Sequence, residues 1–158
     1  MPGMALRTWA EEFAGGTVAT AMARINARHP WSHNDHFHSW ILANLPARRR
    51  GALDVGCGRG GLLAALSPRF TAVHGTDRDG AMRGQAATRC AGLSNVIIHN
   101  GTWIDGPVDL VTMVAVLHHL DIADALERVR SILEPGGRFL AVGLAPHQAV
   151  VTDRNRYP

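Results

Sequence analysis

Between Leu53 and Leu62 the chain reads LDVGCGRGGL, an apolar, strand-like run that breaks into glycines and then opens a helical pattern. Glycine lets a backbone turn sharply and approach a ligand with no Cβ in the way. Such a turn also directs helix N-terminal N–H groups at whatever binds there. Gly56, Gly58 and Gly61 satisfy a GxGxxG spacing, which by itself fits a nicotinamide or flavin dinucleotide as well as other nucleosides. Two carboxylates narrow the choice. Asp54 stands two residues before the first glycine, at the carboxyl end of the strand, where a dinucleotide site usually has an apolar residue. A charge there repels pyrophosphate and suits a cationic ligand. Asp77 ends the next strand-like run, His74-Gly75-Thr76-Asp77, where a carboxylate accepts hydrogen bonds from both hydroxyls of a ribose.

An acid for a ribose and an acid facing a cation together describe S-adenosylmethionine, which has an adenosine, an ammonium and a sulfonium but no phosphate. Further along, His118 and His119 follow an apolar run at its carboxyl end, where ligands sit in open α/β sheets. An imidazole with an ordinary pKa of about 6.5 suits proton removal at neutral pH, and His119 is the candidate general base. His29, His33, His36 and His38 crowd one segment, with His33 and His36 on one helix face. No cysteine or close carboxylate pair completes a tetrahedral set, so no metal is assigned. Cys57 reads as a small packing residue rather than a nucleophile. It is far from Cys90 in sequence and forms no CxxC pair, a usage that suits a reducing cytoplasm.

The elements that must position these residues follow from periodicity. Thr17 to His29 carries Val18, Ala21, Met22 and Ile25 on one amphipathic stripe, and helical spacing restarts from Ser32 to Leu45, stopped by Pro46. After Arg50 the pattern becomes strands alternating with helices. The predicted strands are Ala52 to Val55, Thr71 to Gly75, Val96 to His99, Leu110 to Val116 and Phe139 to Val142. The predicted helices are Gly61 to Leu66, Gly80 to Ala91 and Ile122 to Leu133, the last with Asp121 as N-cap and Ile122, Leu126, Val129 and Leu133 on one face. Helical crossovers make neighbouring strands parallel, and a parallel sheet is covered on both faces.

The chain's 158 residues suit one domain. With 46% hydrophobic and 18% charged residues it is a globular rather than a disordered composition. No apolar run reaches the roughly 20 residues of a membrane span, and the expected location is cytoplasmic. All 16 basic residues are arginine and the formal charge is +3, from which nucleic-acid binding does not follow. Arg48-Arg49-Arg50 directly precedes a strand and reads as its solvated entrance.

In these motifs the sequence resembles the class I S-adenosylmethionine-dependent methyltransferases, over roughly Pro30 to Leu144. LDVGCGRGG is similar to the family's first motif, which implies Asp54, Gly56, Cys57, Gly58 and Gly60 around the methionine part of the cofactor. GTDRDGAM resembles the second, with Asp77 on the ribose, Arg78 along the adenine and Met82 beside it. NVIIHNGTW resembles the segment after the third strand, in which Gly101, Thr102 and Trp103 line the adenine; many members have aspartate where Thr102 stands. The fourth strand and its exit imply backbone contact near Ala115 and Val116, with the His pair at the reaction site, and SILEPGGR resembles the turn into the fifth strand. The helix before the first strand closes over the methyl donor in similar proteins, which makes Trp31, His33 and His36 pocket candidates.

The resemblance implies a Rossmann-like open parallel sheet of order 3-2-1-4-5. It places a helical N-terminal cap at 1–46, the core at 47–144 and a short tail at 145–158, without the family's usual C-terminal antiparallel strands. Phe139 to Val142 is then expected to be a bare apolar edge, which implies either a truncated chain or a homo-oligomer whose partner covers it. The implied activity is methyl transfer to a small-molecule acceptor. Alternatives are an NAD(P)-dependent oxidoreductase and a non-catalytic, cofactor-binding homologue. Ala115-Val116-Leu117-His118 stands where amide-nitrogen enzymes of similar type carry Asn-Pro-Pro-aromatic, so base and protein-amide methylation are not expected. Whether oxygen, nitrogen or carbon accepts the methyl group, and which of His118 and His119 acts, stay open.

Overall fold

The computed structural model describes residues 35–143. The stripe at Thr17 to His29, Trp31, His33 and the tail at 145–158 lie outside the described residues. Five strands, β1 (Gly51–Val55), β2 (Ala72–Asp77), β3 (Val96–Asn100), β4 (Val108–Val114) and β5 (Leu133–Val142), form one parallel sheet in the order β3-β2-β1-β4-β5. This is the predicted order. The described helices are α1 (His38–Ala43), α2 (Gly61–Leu66), α3 (Gly80–Arg89) and α4 (Ile122–Ile132).

Alternation along the strands divides the core in two, as side chains at successive positions point to opposite faces. Ala52, Val73, Leu110, Val114, Leu140 and Val142 pack with Ile41, Leu62, Leu63, Leu66 and Ala86 from α1, α2 and α3. Leu53, Val55, Val111, Met113, Phe139 and Ala141 pack with Val129 and Ile132 of α4. β4 lies between β1 and β5 and is buried along its whole length, which is why its sequence is apolar apart from Asp109 and Thr112.

Several boundaries differ from expectation, each for a local reason. Ser32 to Leu45 does not form one uniform helix in its described part: a 3-10 turn at Asp35–Phe37 leads into α1, which ends where Asn44 turns its Nδ2 back to the Trp40 carbonyl at 2.8 Å. β4 stops at Val114 rather than Val116 because Ala115 adopts φ +57°, a left-handed conformation that leaves the pleat. β5 begins at Leu133, which pairs with Val108, and the ladder resumes at Arg138 opposite Leu110 with Glu134 to Gly137 bulged out between. Along α4 the buried stripe runs through Ala125, Val129 and Ile132, leaving Ile122 55% and Leu126 46% exposed at its margin. Asp121 caps this helix as predicted, accepting from the Asp124 amide at 3.0 Å.

Two further expectations are corrected. Phe139 to Val142 is not a bare apolar edge: all its side chains are buried, alternately in the two cores, and what β5 leaves at the sheet margin is backbone. Nor is the arginine run a merely solvated entrance. Asp109, 1% exposed at the amino-terminal side of the sheet, accepts from Arg48 Nε at 2.8 Å, the Arg50 amide at 2.7 Å and the Gly51 amide at 3.4 Å. Arg48 and Arg50 also reach Glu134 at 3.7 and 3.3 Å. The cluster ties the start of β1 to β4 and to the β5 bulge. Burial alone raises the Asp109 pKa, but these donors outweigh it and hold the carboxyl below its ordinary value.

A depressed folded-state pKa gives stability that is present above the ordinary carboxylate range and lost as pH falls through the folded value. Asp109→Asn is therefore expected to cost about 2 kcal/mol at neutral pH, the order of one or two charge-assisted hydrogen bonds. In urea unfolding, the gap between variant and native protein should close progressively as the pH is taken to and below the carboxylate range. A gap independent of pH would contradict the assignment.

Candidate active site

At the carboxyl ends of β1, β2, β3 and β4 the chain turns away from the sheet, and the four turns enclose a cleft of about 550 Å³. Ligand pockets run to roughly 300–1,000 Å³, so it can hold a nucleoside-sized molecule. Its wall is built from Val55, Gly56 and Gly58 at the end of β1, Asp77, Arg78 and Asp79 at the end of β2, Gly101 and Thr102 after β3, and Val114, Ala115, Val116, His119 and Leu120 at the end of β4.

The first turn is fixed by its neighbours. The Gly56 and Cys57 amides both donate to the Thr76 carbonyl at 2.8 Å, the Gly58 amide donates to Asp77 Oδ2 at 2.9 Å, and the Gly60 amide donates to the Cys57 carbonyl at 2.9 Å. Gly56, Gly58 and Gly60 have φ of +73°, +52° and +77°, a region open to glycine. A Cβ on Gly56 would lie 2.3 Å from Val116 Cγ2, so the β1 and β4 turns touch only because that atom is absent. These four loop amides are spent inside the protein; the helix N-terminal N–H groups of the sequence reading belong to the first turn of α2, which follows Gly60.

The second turn presents Asp77. Its Oδ1 accepts from the Asp79 amide at 2.8 Å while Oδ2 holds Gly58, and Arg83 Nη1 grips its carbonyl at 2.7 Å. Asp79 in turn caps α3, accepting from the Ala81 amide at 2.8 Å. The third strand's turn is hung on β2, with Thr76 Oγ1 donating to the Thr102 carbonyl at 2.8 Å. After β4, left-handed Ala115 is still tied to β5 through its amide on the Val142 carbonyl at 2.8 Å. A short 3-10 turn at Leu117–His119 follows, with the two His rings 3.8 Å apart.

Of the residues the sequence singled out, Gly56, Gly58, Asp77, Arg78, Gly101, Thr102, Ala115, Val116 and His119 meet at this cleft. Asp54, Cys57, Gly60, Met82 and Trp103 do not line it. Asp54 lies beneath the floor, 3% exposed, paired across the ladders with Gly75 and Thr112, and Thr112 Oγ1 donates to its Oδ1 at 2.7 Å. Burial is the main cause that lifts its pKa to about 7, with the Thr112 hydrogen bond opposing and the Asp77 charge adding. Cys57 is buried against Gly75, and burial followed by the Asp54 and Asp77 charges pushes its thiol up to about 12, in keeping with packing. Gly60 serves α2, with its Cβ position 3.0 Å from Ala86. Trp103 packs on the α4-side core. Of the proposed lid residues, Trp31 and His33 lie outside the described residues, and His36 is described edge-on to Phe37, 5.6 Å between ring centroids.

Val55, Asp79, Val114 and Leu120 are wall residues the sequence reading missed. Asp79 had a legible signal, since Asp-Gly-Ala-Met opening a helical pattern is an N-cap. Leu120 had none, because its position depends on how the 3-10 turn folds back.

An open parallel sheet in this order, with a cleft at the carboxyl ends of β1 and β4 and an acid ending β2, defines a Rossmann-like α/β domain. A family model described as a methyltransferase domain matches residues 53–139, more than half of the chain, and the chain belongs to that family, within the class I S-adenosylmethionine-dependent methyltransferases. It is 33% identical over 118 residues to an uncharacterized methyltransferase of Mycobacterium tuberculosis, covering 72% of this chain and 60% of that one. It is 36% identical over 119 residues to the trans-aconitate 2-methyltransferase of Methylobacterium radiotolerans, covering 72% and 45%. The chain thus spans less than two thirds of the length of these curated relatives. Among solved structures, a SAM-dependent methyltransferase from Aquifex aeolicus superposes with a TM-score of 0.61 at 22% identity, over 77% of this chain and 68% of that one, and shares the fold.

Gly56→Ala is expected to destabilise the protein by about 3 kcal/mol, combining a left-handed alanine with overpacking against Val116. Denaturant unfolding measures it, and a cost within experimental error of zero would mean the β1 and β4 turns are not in contact. Asp54 gives a pH test of opposite sign to Asp109. Its folded pKa is raised, so the folded state binds the extra proton and stability falls as pH climbs from the ordinary carboxylate range to about 7. Asp54→Asn should flatten that fall in thermal unfolding between pH 5 and 8; an unchanged slope would show that Asp54 does not titrate there.

Proposed function

We propose that the cleft binds S-adenosylmethionine and that its methyl group passes to a small-molecule acceptor entering beside His119. The observation that carries this reading is the use of the glycine loop's amides. The N–H groups of Gly56, Cys57, Gly58 and Gly60 are bonded to Thr76, Asp77 and Cys57, so they are not offered to a phosphate, while the wall carries the Asp77 and Asp79 carboxylates. That chemistry repels a pyrophosphate and accepts hydroxyls and cations. The dinucleotide alternative is disfavoured on the same ground.

The residues fit the cofactor part by part. Each Asp77 oxygen accepts one backbone N–H and keeps a lone pair for a ribose hydroxyl. Gly101 and Thr102, the latter held on β2 through Thr76, are the wall assigned to the adenine, with Arg78 of the same cleft lying along it. Gly56 and Gly58, with Ala115 and Val116 opposite, leave room for the methionine part, and the Asp54 charge beneath favours an ammonium over an anion. When bound, the cofactor supplies a methyl group already activated by a positive sulfur, so the protein's task is chiefly to hold the acceptor in line. His119 stands on the wall where a proton would be removed from a hydroxyl or amine acceptor. A carboxylate acceptor needs no base. The relative named for trans-aconitate makes that class worth including among acceptors tested.

Asp77→Ala is expected to weaken S-adenosylhomocysteine binding by about 3 kcal/mol, on the order of 100-fold, through loss of two hydrogen bonds to a charged acceptor. Since Asp77 also holds Gly58, Asp77→Asn serves as the milder variant, with an intermediate loss. Calorimetry measures both, and unchanged affinity in both refutes the ribose assignment. S-adenosylhomocysteine should raise the melting temperature of the native protein and NADH should not; the reverse would favour the oxidoreductase.

A further inference from the structure

Asp54 is buried and directly precedes two residues of the cleft wall. Its neighbours Val55 and Gly56 line the wall, while its own carboxylate points to the opposite face of the strand from Val55, between Gly75 and Thr112. On the β2 side Gly75 provides no side chain, and the space over it is taken by Leu63 and the Cys57 thiol. On the β4 side Thr112 does, with Oγ1 2.7 Å from Oδ1. Thr112 is fully buried, and its hydroxyl lies 3.4 Å from the Leu53 carbonyl as its other neighbour. The titratable groups that act on Asp54 are the Asp77 carboxylate at the end of β2 and the Cys57 thiol in the loop, neither of them cationic. A carboxylate so enclosed, with one hydroxyl donor and an acid nearby, keeps its charge only with help. The mechanism sketched above uses Asp54 as a charge and leaves Thr112 without a role.

We propose that Thr112 is a positioning residue for cofactor capture: through its hydrogen bond it sets the charge state of Asp54, and the ammonium end of the cofactor binds over the charged form. This rests on the cofactor assignment made above. As the ligand's ammonium arrives, Asp54 releases its proton to solvent, and affinity rises with pH until Asp54 is already ionised in the empty site. The serine hydroxyl can replace the threonine hydroxyl in this role; a valine methyl, of nearly the same shape, cannot. The charge acts through the turn rather than by direct contact, which a low-polarity floor permits because the field is poorly screened there.

Two measurements on the native chain, Thr112→Val and Thr112→Ser separate this proposal from the reading on which it rests. The first needs no cofactor: carbon-13 NMR of the Asp54 side-chain carboxyl, assigned with Asp54→Asn, follows its titration in the ligand-free protein. The midpoint is expected to rise by about one unit in Thr112→Val, the order set by losing one hydrogen bond to a charge, and to stay near the native value in Thr112→Ser. The second is calorimetry with S-adenosylhomocysteine from pH 5.5 to 8.5 in buffers of different ionisation heat. It is expected to show proton release on binding and an affinity profile displaced upward by the same interval in Thr112→Val only. If Thr112 merely packs, Thr112→Val alters stability and moves neither midpoint, and the proposal is overturned. If the NMR midpoints move but the native protein does not bind S-adenosylhomocysteine at any pH, the cofactor assignment falls and takes the coupling with it. Binding with a pH-independent affinity overturns the coupling while leaving the cofactor assignment standing.

Discussion

Two backbone amides sharing one carbonyl hold this domain's working end together. A parallel strand that stops leaves its last peptide groups without ladder partners, and here Gly56 and Cys57 turn both of theirs onto Thr76. That fold-back requires positive φ at Gly56 and brings the β1 turn against Val116 of the β4 turn. It carries the Gly58 amide to the Asp77 carboxylate, and Thr76, already committed through its carbonyl, uses its hydroxyl to hang the Thr102 turn. Three loops from three strands are thus referenced to one residue of β2. The cleft is a consequence of satisfying backbone groups at the sheet's end, and its chemistry depends on which donors that satisfaction leaves over.

The two acids of the site differ through the same geometry. Asp77 is the last residue of its strand, where the Gly58 and Asp79 amides donate to its carboxylate at the cleft wall. Asp54 stands inside its strand, where the amides belong to the ladder and only Thr112 is at hand. Two aspartates on adjacent strands thereby differ in kind: one is bonded by backbone amides at the cleft wall, the other is buried with a single hydroxyl donor. Pairs of titratable groups held in contrasting environments are a recurrent arrangement at functional sites.

What the sequence made legible follows a physical line. Periodicity and glycine placement are local, so α2, the alternation of strands with helices and the glycine turn could be read before any coordinates, while the strand order and most of the other cleft residues came from the resemblance to the methyltransferase family. Whatever depends on a neighbour across the ladder could not. Asp54 was recognisable as an acid at the right place, but not as a buried group beneath the floor, because Thr112 and Gly75 reach it only through the register of a parallel sheet. Arg48 and Arg50 looked solvated because Asp109 and Glu134, which pair with them, are far along the chain. The α4 stripe was placed too far toward Ile122 and Leu126, since four apolar residues at helical spacing define a face but not which part of it the sheet covers.

Ala115 shows where a local rule yields to the site. Alanine is no better suited than most residues to φ +57°, and a left-handed non-glycine costs on the order of 1–2 kcal/mol. The surrounding bonds determine it nonetheless: its amide is fixed on Val142 of β5, and Val116 must reach the Cβ-free space over Gly56. Glycine would relieve the strain, but it would also loosen the one residue that aims the β4 exit, and with it His119, at the cleft. Strain at a site wall persists only where the fold over-determines the conformation. Here both constraints come from adjacent strands, so the orientation of the β4 exit is set by the sheet itself rather than by the loop that carries it.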